Sequence, residues 1–238
     1  MQHSTQTGDY ALRLNAFKLT LILSVCVVLL LSVDALLQIS HYRWHQIPWL
    51  IRRFFDVDEE INLPTWYSSA ALLLASALLF LVHRRKAAMG APWSVHWLLL
   101  SIGFLGLSLD EVAAVHDSVN AATRSSWAIP AGAIAVAIGL MFSRFLINLP
   151  LTTGVLFVVG GIMFLGGAVG IEVHTEWYNE INYADSLPYK LWTIVEEGLE
   201  MFGVVVFIYA LVSYMEKDAN NPSVVLEPKL PPEVPELT

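Results

Sequence analysis

This sequence contains six apolar stretches, each of about 20 residues, the length that a helix needs to cross a bilayer. The 238-residue chain is 56% hydrophobic and only 14% charged, whereas soluble domains carry roughly 25% charged residues. Because lipid offers the backbone no hydrogen-bond partners, a segment that crosses it alone folds as a helix. The sequence therefore predicts an all-α polytopic membrane protein with six transmembrane helices in a bundle.

The apolar stretches also set the domain boundaries. One transmembrane domain is predicted for residues 1–214, with spans at about residues 17–39, 66–82, 93–119, 127–147, 151–173 and 189–213. Residues 41–64 mix tryptophan and phenylalanine with arginine, which is typical of an interfacial segment. Residues 215–238 are rich in proline and acids and are predicted to be a disordered tail. The first stretch resembles a signal peptide, but its apolar pattern continues beyond Asp34, which favours an uncleaved span.

Basic residues predict the orientation. Six spans place both termini on the same side of the membrane, and more lysine and arginine fall on that side than on the other. The strongest signal is the triplet Arg84, Arg85 and Lys86 after the second span. By the positive-inside rule both termini and the tail are cytoplasmic, and most acidic residues lie in the outer half of the protein. The net charge of −8 argues against a nucleic-acid partner.

The last apolar stretch, LWTIVEEGLEMFGVVVFIYAL, carries three glutamates in its first half. On a helix Glu196 and Glu200 lie about 40° apart, and Glu197 stands about 100° from Glu196. Ionisable side chains within a span are costly and usually face a bundle interior or a water-filled cavity. These glutamates therefore predict a polar site between helices.

Other spans bring acids and a histidine to the same outer half. The third span ends in SLDEVAAVHD, where Asp110 and Asp117 would lie about 20° apart on a continuous helix. We predict a divalent-metal site, for zinc, iron or manganese, because carboxylate and imidazole ligands suit these ions. The candidate ligands are Asp110, Glu111, His116, Glu172, Glu196 and Glu200. In an enzyme, Glu197 or Asp117 would serve as general base for a metal-activated water acting on a lipid or small amphipathic substrate.

Two other functional classes stay open. Carboxylates that reach mid-membrane also mark proton or cation pathways, which would make the chain a coupled transporter or channel subunit. Alternatively the chain is a non-catalytic membrane partner whose acids dock a basic segment of another protein. In a further alternative, the span-six glutamates simply pair with arginines of the same chain. The acids of residues 56–60 are expected to form a solvated loop. The spacing of Gly166 and Gly170 predicts close helix packing and leaves room for a homo-oligomer.

Three strings, FFDVDEEINLPTWYSSAALLL, SLDEVAAVHD and VEEGLEMFGVVVFIYAL, resemble a group of bacterial inner-membrane proteins of unassigned function. The resemblance implies a multi-pass protein of the bacterial inner membrane and brings no activity with it. Alkaline ceramidase-like hydrolases, by comparison, use a Ser-x-x-x-His motif and a His-x-x-x-His pair. Here Ser108 stands eight places before His116, and glutamates occupy the last span where that pair would be, so that resemblance fails.

Overall fold

The fold is described by a computed structural model that covers residues 15–115, 128–181, 183 and 185–218. Within these residues the regular structure is helical throughout and contains no β-strand. In chain order the elements are α1 (Ala16–Arg43), α2 (Trp49–Phe55), α3 (Leu63–Ala88), α4 (Ser94–Ala113), α5 (Ala128–Ile147), α6 (Leu151–Leu165), a π-helix (Gly166–Ile171), α7 (Glu172–Glu180) and α8 (Leu187–Asp218).

Six helical segments in the described part of the chain are long and apolar enough to cross a membrane. They are α1, α3, α4, α5, α8 and the run Leu151–Thr175, in which α6 continues through the π-helix into α7. Large apolar side chains on α1 and α5, such as Phe17, Ile22 and Leu140, are well exposed on the protein surface, as expected for helices that face lipid. The predicted all-α fold with six transmembrane helices is thus confirmed.

The third predicted span is shorter than expected. Helix α4 ends at Ala113 because Ala114 adopts a left-handed backbone conformation with φ of 49°. The predicted continuous helix is therefore interrupted at Ala114, and the predicted shared face of Asp110 and Asp117 stays a prediction. Residues 116–127 lie outside the described part of the chain, as do residues 219–238 of the predicted tail.

Helix α8 occupies the centre of the bundle. It packs against α1, α3, α6 and the π-helix. A larger share of its apolar stretch is buried than in any other of the six candidate spans. Ile208, Leu211 and Val212 are fully buried in its second half. Phe207 stacks on Phe157 of α6 with ring centroids 4.2 Å apart. This second half of α8 therefore forms a tightly packed apolar core.

Two glycines allow α6 and α8 to approach closely. A β-carbon added to Gly160 would lie 2.9 Å from the carbonyl oxygen of Gly203, and one added to Gly203 would lie 2.8 Å from that of Gly160. By contrast, no atom of the described residues lies within 4 Å of a β-carbon placed on Gly166 or Gly170. Within the described residues of one chain, close packing is therefore made by Gly160 and Gly203, and packing through the Gly166–Gly170 pair stays a prediction.

The two ends of the bundle differ in character. At the first, which we call the terminal end, the Ala16 N–H donates to Glu216 Oε1 at 3.0 Å, so α1 begins where α8 ends. Lys86, in the last turn of α3, lies over the ring of Tyr214 at the same end. The opposite end, which we call the α2 end, holds α2 and the loop that follows it. Since α8 runs from the α2 end to the terminal end, its three glutamates lie in the half nearer α2.

Candidate functional site

A carboxyl pair joins the first half of α8 to the start of α7. Glu196 is only 8% exposed, and its carboxyl lies within hydrogen-bonding reach of the carboxyl of Glu172. Glu172 is placed there by the π-helix that precedes it, and such wider turns occur frequently at functional sites. The pair thus joins two spans, and its Glu196 member is buried.

Gly167 lets the π-helix approach α8 at this contact. A β-carbon added to Gly167 would lie 2.6 Å from the carbonyl oxygen of Glu196 and 2.8 Å from Cγ of Glu200. The backbone of α8 and the side chain of Glu200 therefore rest directly on this glycine. A larger residue at position 167 would have to displace one or the other.

Beyond the pair lies a small polar cavity. It has room for about one water-sized molecule. Glu200 follows the first residue of α8 by 13 positions, or about 20 Å, which is near the middle of a membrane of ordinary thickness. The residues that line the cavity are Tyr67, Ser68, Ala71 and Leu72 of α3, Glu111 of α4, Phe164 of α6, and Glu197, Glu200, Met201 and Val204 of α8.

The acids around the pair and the cavity interact with one another. Glu196 interacts electrostatically with Glu172 and Glu200, and Glu197 interacts with Glu200 and Glu111. Glu200 also interacts electrostatically with Asp110 at the end of α4. So many carboxyls in a membrane interior cannot all be ionised unless protons or cations accompany them. We call Glu111, Glu172, Glu196, Glu197 and Glu200 the glutamate cluster.

The glutamate cluster contains most of the residues that the sequence singled out. Glu111, Glu172, Glu196, Glu197 and Glu200 come together, with Asp110 near them. His116 and Asp117 lie outside the described residues, so their predicted roles as ligand and general base stay predictions. In the described part of the chain, no group of three or more histidine, cysteine, aspartate or glutamate side chains is arranged to hold a metal ion.

A second polar cluster, between α1, the loop after α2 and the start of α8, was not foreseen. Lys190 Nζ donates to Asp56 Oδ2 at 3.0 Å and to Asp58 Oδ2 at 2.8 Å. Gln38 Nε2 donates to Asp34 Oδ1 and to Asp56 Oδ2, each at 3.0 Å. Asp34, Gln38 and Asp56 are all buried. We call these five residues the lysine cluster.

Hydrogen bonds from a residue of the same segment hold the conformation of the loop that carries the aspartates. Asn62 caps α3 by accepting the Thr65 N–H at 3.1 Å, and its amide donates to the carbonyl oxygens of Arg53 and Asp56. Pro64, in the first turn of α3, suits a helix start. The expectation of a solvated acidic loop is therefore wrong for Asp56, which is only 4% exposed.

Burial also changes the titration of this loop. It raises the pKa of Asp58 above its ordinary value, and the nearby Lys190 ammonium opposes that rise only in part. The folded chain therefore holds a proton on Asp58 to higher pH than the unfolded chain does. The resulting contribution to stability is complete below the unfolded pKa and is lost as pH rises through the folded pKa.

No single motif pointed to the lysine cluster. Asp34 and Gln38 share an i, i+4 spacing in an otherwise apolar span, which is a local signal of a buried polar face. Lys190, however, is separated from Asp56 by 134 positions.

Of the arginines expected to pair with the α8 glutamates, Arg53 instead lies 3.9 Å from Glu59.

Comparison with known proteins adds a family but no activity. A family model described as a domain of unknown function (DUF8692) matches residues 20–215, a range that includes both clusters. No curated protein and no solved structure matches the chain. These findings confirm the resemblance to proteins of unassigned function that the three sequence strings indicated.

Proposed function

Since the chain belongs to the DUF8692 family, whose description assigns no activity, we propose from its own geometry that it translocates protons across the membrane through the glutamate cluster. The observation that carries this proposal is the contact between the carboxyl of Glu172 and the buried carboxyl of Glu196. An ionised carboxylate has no hydrogen-bond donor, so two carboxyls hydrogen-bond only when one of them holds a proton. The pair is therefore a proton-binding group within a membrane span.

The neighbouring carboxyls extend this group toward mid-membrane. Glu200 follows Glu196 by one helical turn, a rise of about 6 Å, and faces the small cavity together with Glu197 and Glu111. A water molecule in that cavity would link their carboxyls by hydrogen bonds. Protons entering from the α2 end would pass from the Glu172–Glu196 pair to Glu200. Such chains of acids are typical of proton relays.

The remaining half of α8 favours gated translocation over an open channel. Beyond Glu200 the helix buries Val204, Ile208 and Leu211 in the apolar core toward the terminal end. This core contains no comparable row of acids in the described part of α8. Proton release toward the terminal end therefore requires a movement of α8 against its neighbours.

Replacing Glu200 with glutamine tests this function. We expect purified protein in liposomes to take up protons when a membrane potential is applied, as read by a trapped pH-sensitive dye. In Glu200→Gln, uptake should fall to the rate of empty liposomes, because glutamine cannot bind and release a proton. Glu59→Gln, the same change on a loop glutamate whose side chain is about half exposed, should leave uptake unchanged. Wild-type protein that takes up no protons, or a fully active Glu200→Gln variant, contradicts the proposal.

A divalent-metal site on the same carboxylates is the second candidate, favoured by the convergence of oxygen ligands from α4, α7 and α8. Zinc, iron or manganese would be held by Glu111, Glu172, Glu196 and Glu200, with His116 and Asp110 as further predicted ligands. A hydrolase acting on a lipid or small amphipathic substrate would use Glu197 or Asp117 as its base. Elemental analysis decides this: metal in the wild type that is lost in a Glu196→Ala/Glu200→Ala variant would support it.

The direction of transport follows from the orientation that the basic residues predict. Arg84, Arg85 and Lys86 lie at the terminal end, which the positive-inside rule assigns to the cytoplasm. Protons would then enter the α2 end from the outside. With the bacterial inner membrane implied by the sequence resemblance, this direction runs down the usual proton gradient.

A further inference from the structure

Gln38 presents an unexplained polar atom in the middle of the lysine cluster. Its side chain is 0% exposed, and its Nε2 group donates to both Asp34 and Asp56. Its carbonyl oxygen, Oε1, is buried and has no hydrogen-bond partner among the described residues. A buried carbonyl without a partner loses free energy relative to water, and native structures contain few of them. Something small is therefore expected beside this oxygen.

Charges in the same cluster are out of balance. Lys190 lies between Asp56 and Asp58, at 3.0 and 2.8 Å, and offsets part of their charge. Asp34 is 1% exposed, and its described partners are both neutral: the amide of Gln38 and the N–H of Val57 at 3.3 Å. An ionised carboxylate buried without a cation is strongly unfavourable. Within the described residues, no positively charged side chain forms a hydrogen bond or ion pair with Asp34; the Lys190 ammonium acts on it only through space.

We propose that Asp34 and Gln38, with Asp56 beside them, bind a monovalent metal cation of the size of sodium. The ligands would be carboxylate oxygens of Asp34 and the free Oε1 of Gln38, which are the hard oxygen donors that such cations prefer. One cation supplies both missing elements, a charge for Asp34 and a partner for Oε1. Lys190 already lies against the two loop aspartates, so the charge that the cation has to offset beside Gln38 is that of Asp34.

The proposed cation would join three parts of the fold. Asp34 and Gln38 belong to α1, Asp56 ends α2, and Lys190 ties that loop to α8. Binding would therefore strengthen the contact of α1 with the loop and with α8. The site shares no residue with the glutamate cluster, and the proposal holds whether or not that cluster translocates protons.

Thermal unfolding in mild detergent tests the site. We expect Tm of the wild type to rise saturably with sodium chloride and to be unaffected by choline chloride of equal ionic strength. At 100 times the dissociation constant, the rise should be on the order of 5 °C or more. Asp34→Asn should abolish the sodium response, while Asp185→Asn, the same change at an exposed position of the same end, should retain it. Glu200→Gln should also retain it, which separates this site from the proposed proton pathway.

Equilibrium dialysis with radioactive sodium provides a measurement that does not depend on a variant folding. We expect about one sodium ion bound per wild-type chain, displaced by excess unlabelled sodium. No saturable binding overturns the proposal. So does a Tm that responds to choline as it does to sodium. A Tm that changes with pH alone also overturns it, because Asp34 then holds a proton instead.

Discussion

Replacing Lys190 with methionine is expected to lower the free energy of unfolding by about 3–5 kcal/mol, because it leaves Asp56 and Asp58 near each other without their cation. The side chains of Lys190 and Asp56 are 12% and 6% exposed, so little water reaches the Asp56 carboxylate to solvate it once the ammonium is gone. Asp58 is more accessible, at 27%, which places the expected loss toward the lower value. Thermal or denaturant unfolding in mild detergent measures the effect.

Two controls make this prediction specific. Lys217→Met, the same change at an exposed position of α8, should leave stability nearly unchanged. Adding Asp56→Asn and Asp58→Asn to Lys190→Met should recover much of the loss, since no charge is then left buried. A Lys190→Met variant as stable as the wild type would mean that the ion pair does not hold the loop against α8.

Replacing Gly167 with alanine is expected to destabilise the protein by about 2 kcal/mol or more and to disturb the glutamate cluster. The added methyl group would lie 2.6 Å from the carbonyl oxygen of Glu196 and 2.8 Å from Cγ of Glu200, so the π-helix and α8 must move apart. Separation of these elements would also pull Glu172 away from Glu196. Both the unfolding temperature and the proton uptake of the variant should therefore fall.

The neighbouring glycine supplies a matched control. A β-carbon on Gly166 meets no atom within 4 Å among the described residues, so Gly166→Ala should be neutral or slightly stabilising. Equal effects of the two substitutions would show that the close contact at Gly167 is not what holds the π-helix against α8.

The sequence allowed the membrane fold to be predicted because span length is a direct consequence of bilayer thickness. The end of α4 escaped prediction because the apolar pattern continues through VAAVHDSV, while a left-handed backbone at Ala114 leaves no mark in composition. The packing role of Gly160 and Gly203 was not predicted, for a related reason. A spacing of four marks one face only on an α-helix, and the π-turn at Gly166–Ile171 rotates the later residues away from that face.

The glutamate cluster was largely predictable, because Glu196 and Glu200 share a face of an apolar helix and Glu172 ends a span at the same side of the membrane. The lysine cluster was not. Lys190 pairs with residues 132 and 134 positions away, and no periodic pattern encodes such a contact. Asp56 and Asp58 were instead assigned to a solvated loop, since charged residues between spans usually face water.

Proton translocation through the glutamate cluster requires that the Glu172–Glu196 pair hold a proton within the membrane, a claim that infrared spectroscopy of the carboxyl groups can check. At neutral pH we expect the purified wild type to show the C=O band of a protonated carboxylic acid. This band should lose intensity in Glu196→Gln and persist in Glu59→Gln. A wild-type spectrum with ionised carboxylate bands alone, or a band unchanged in Glu196→Gln, would contradict the claim.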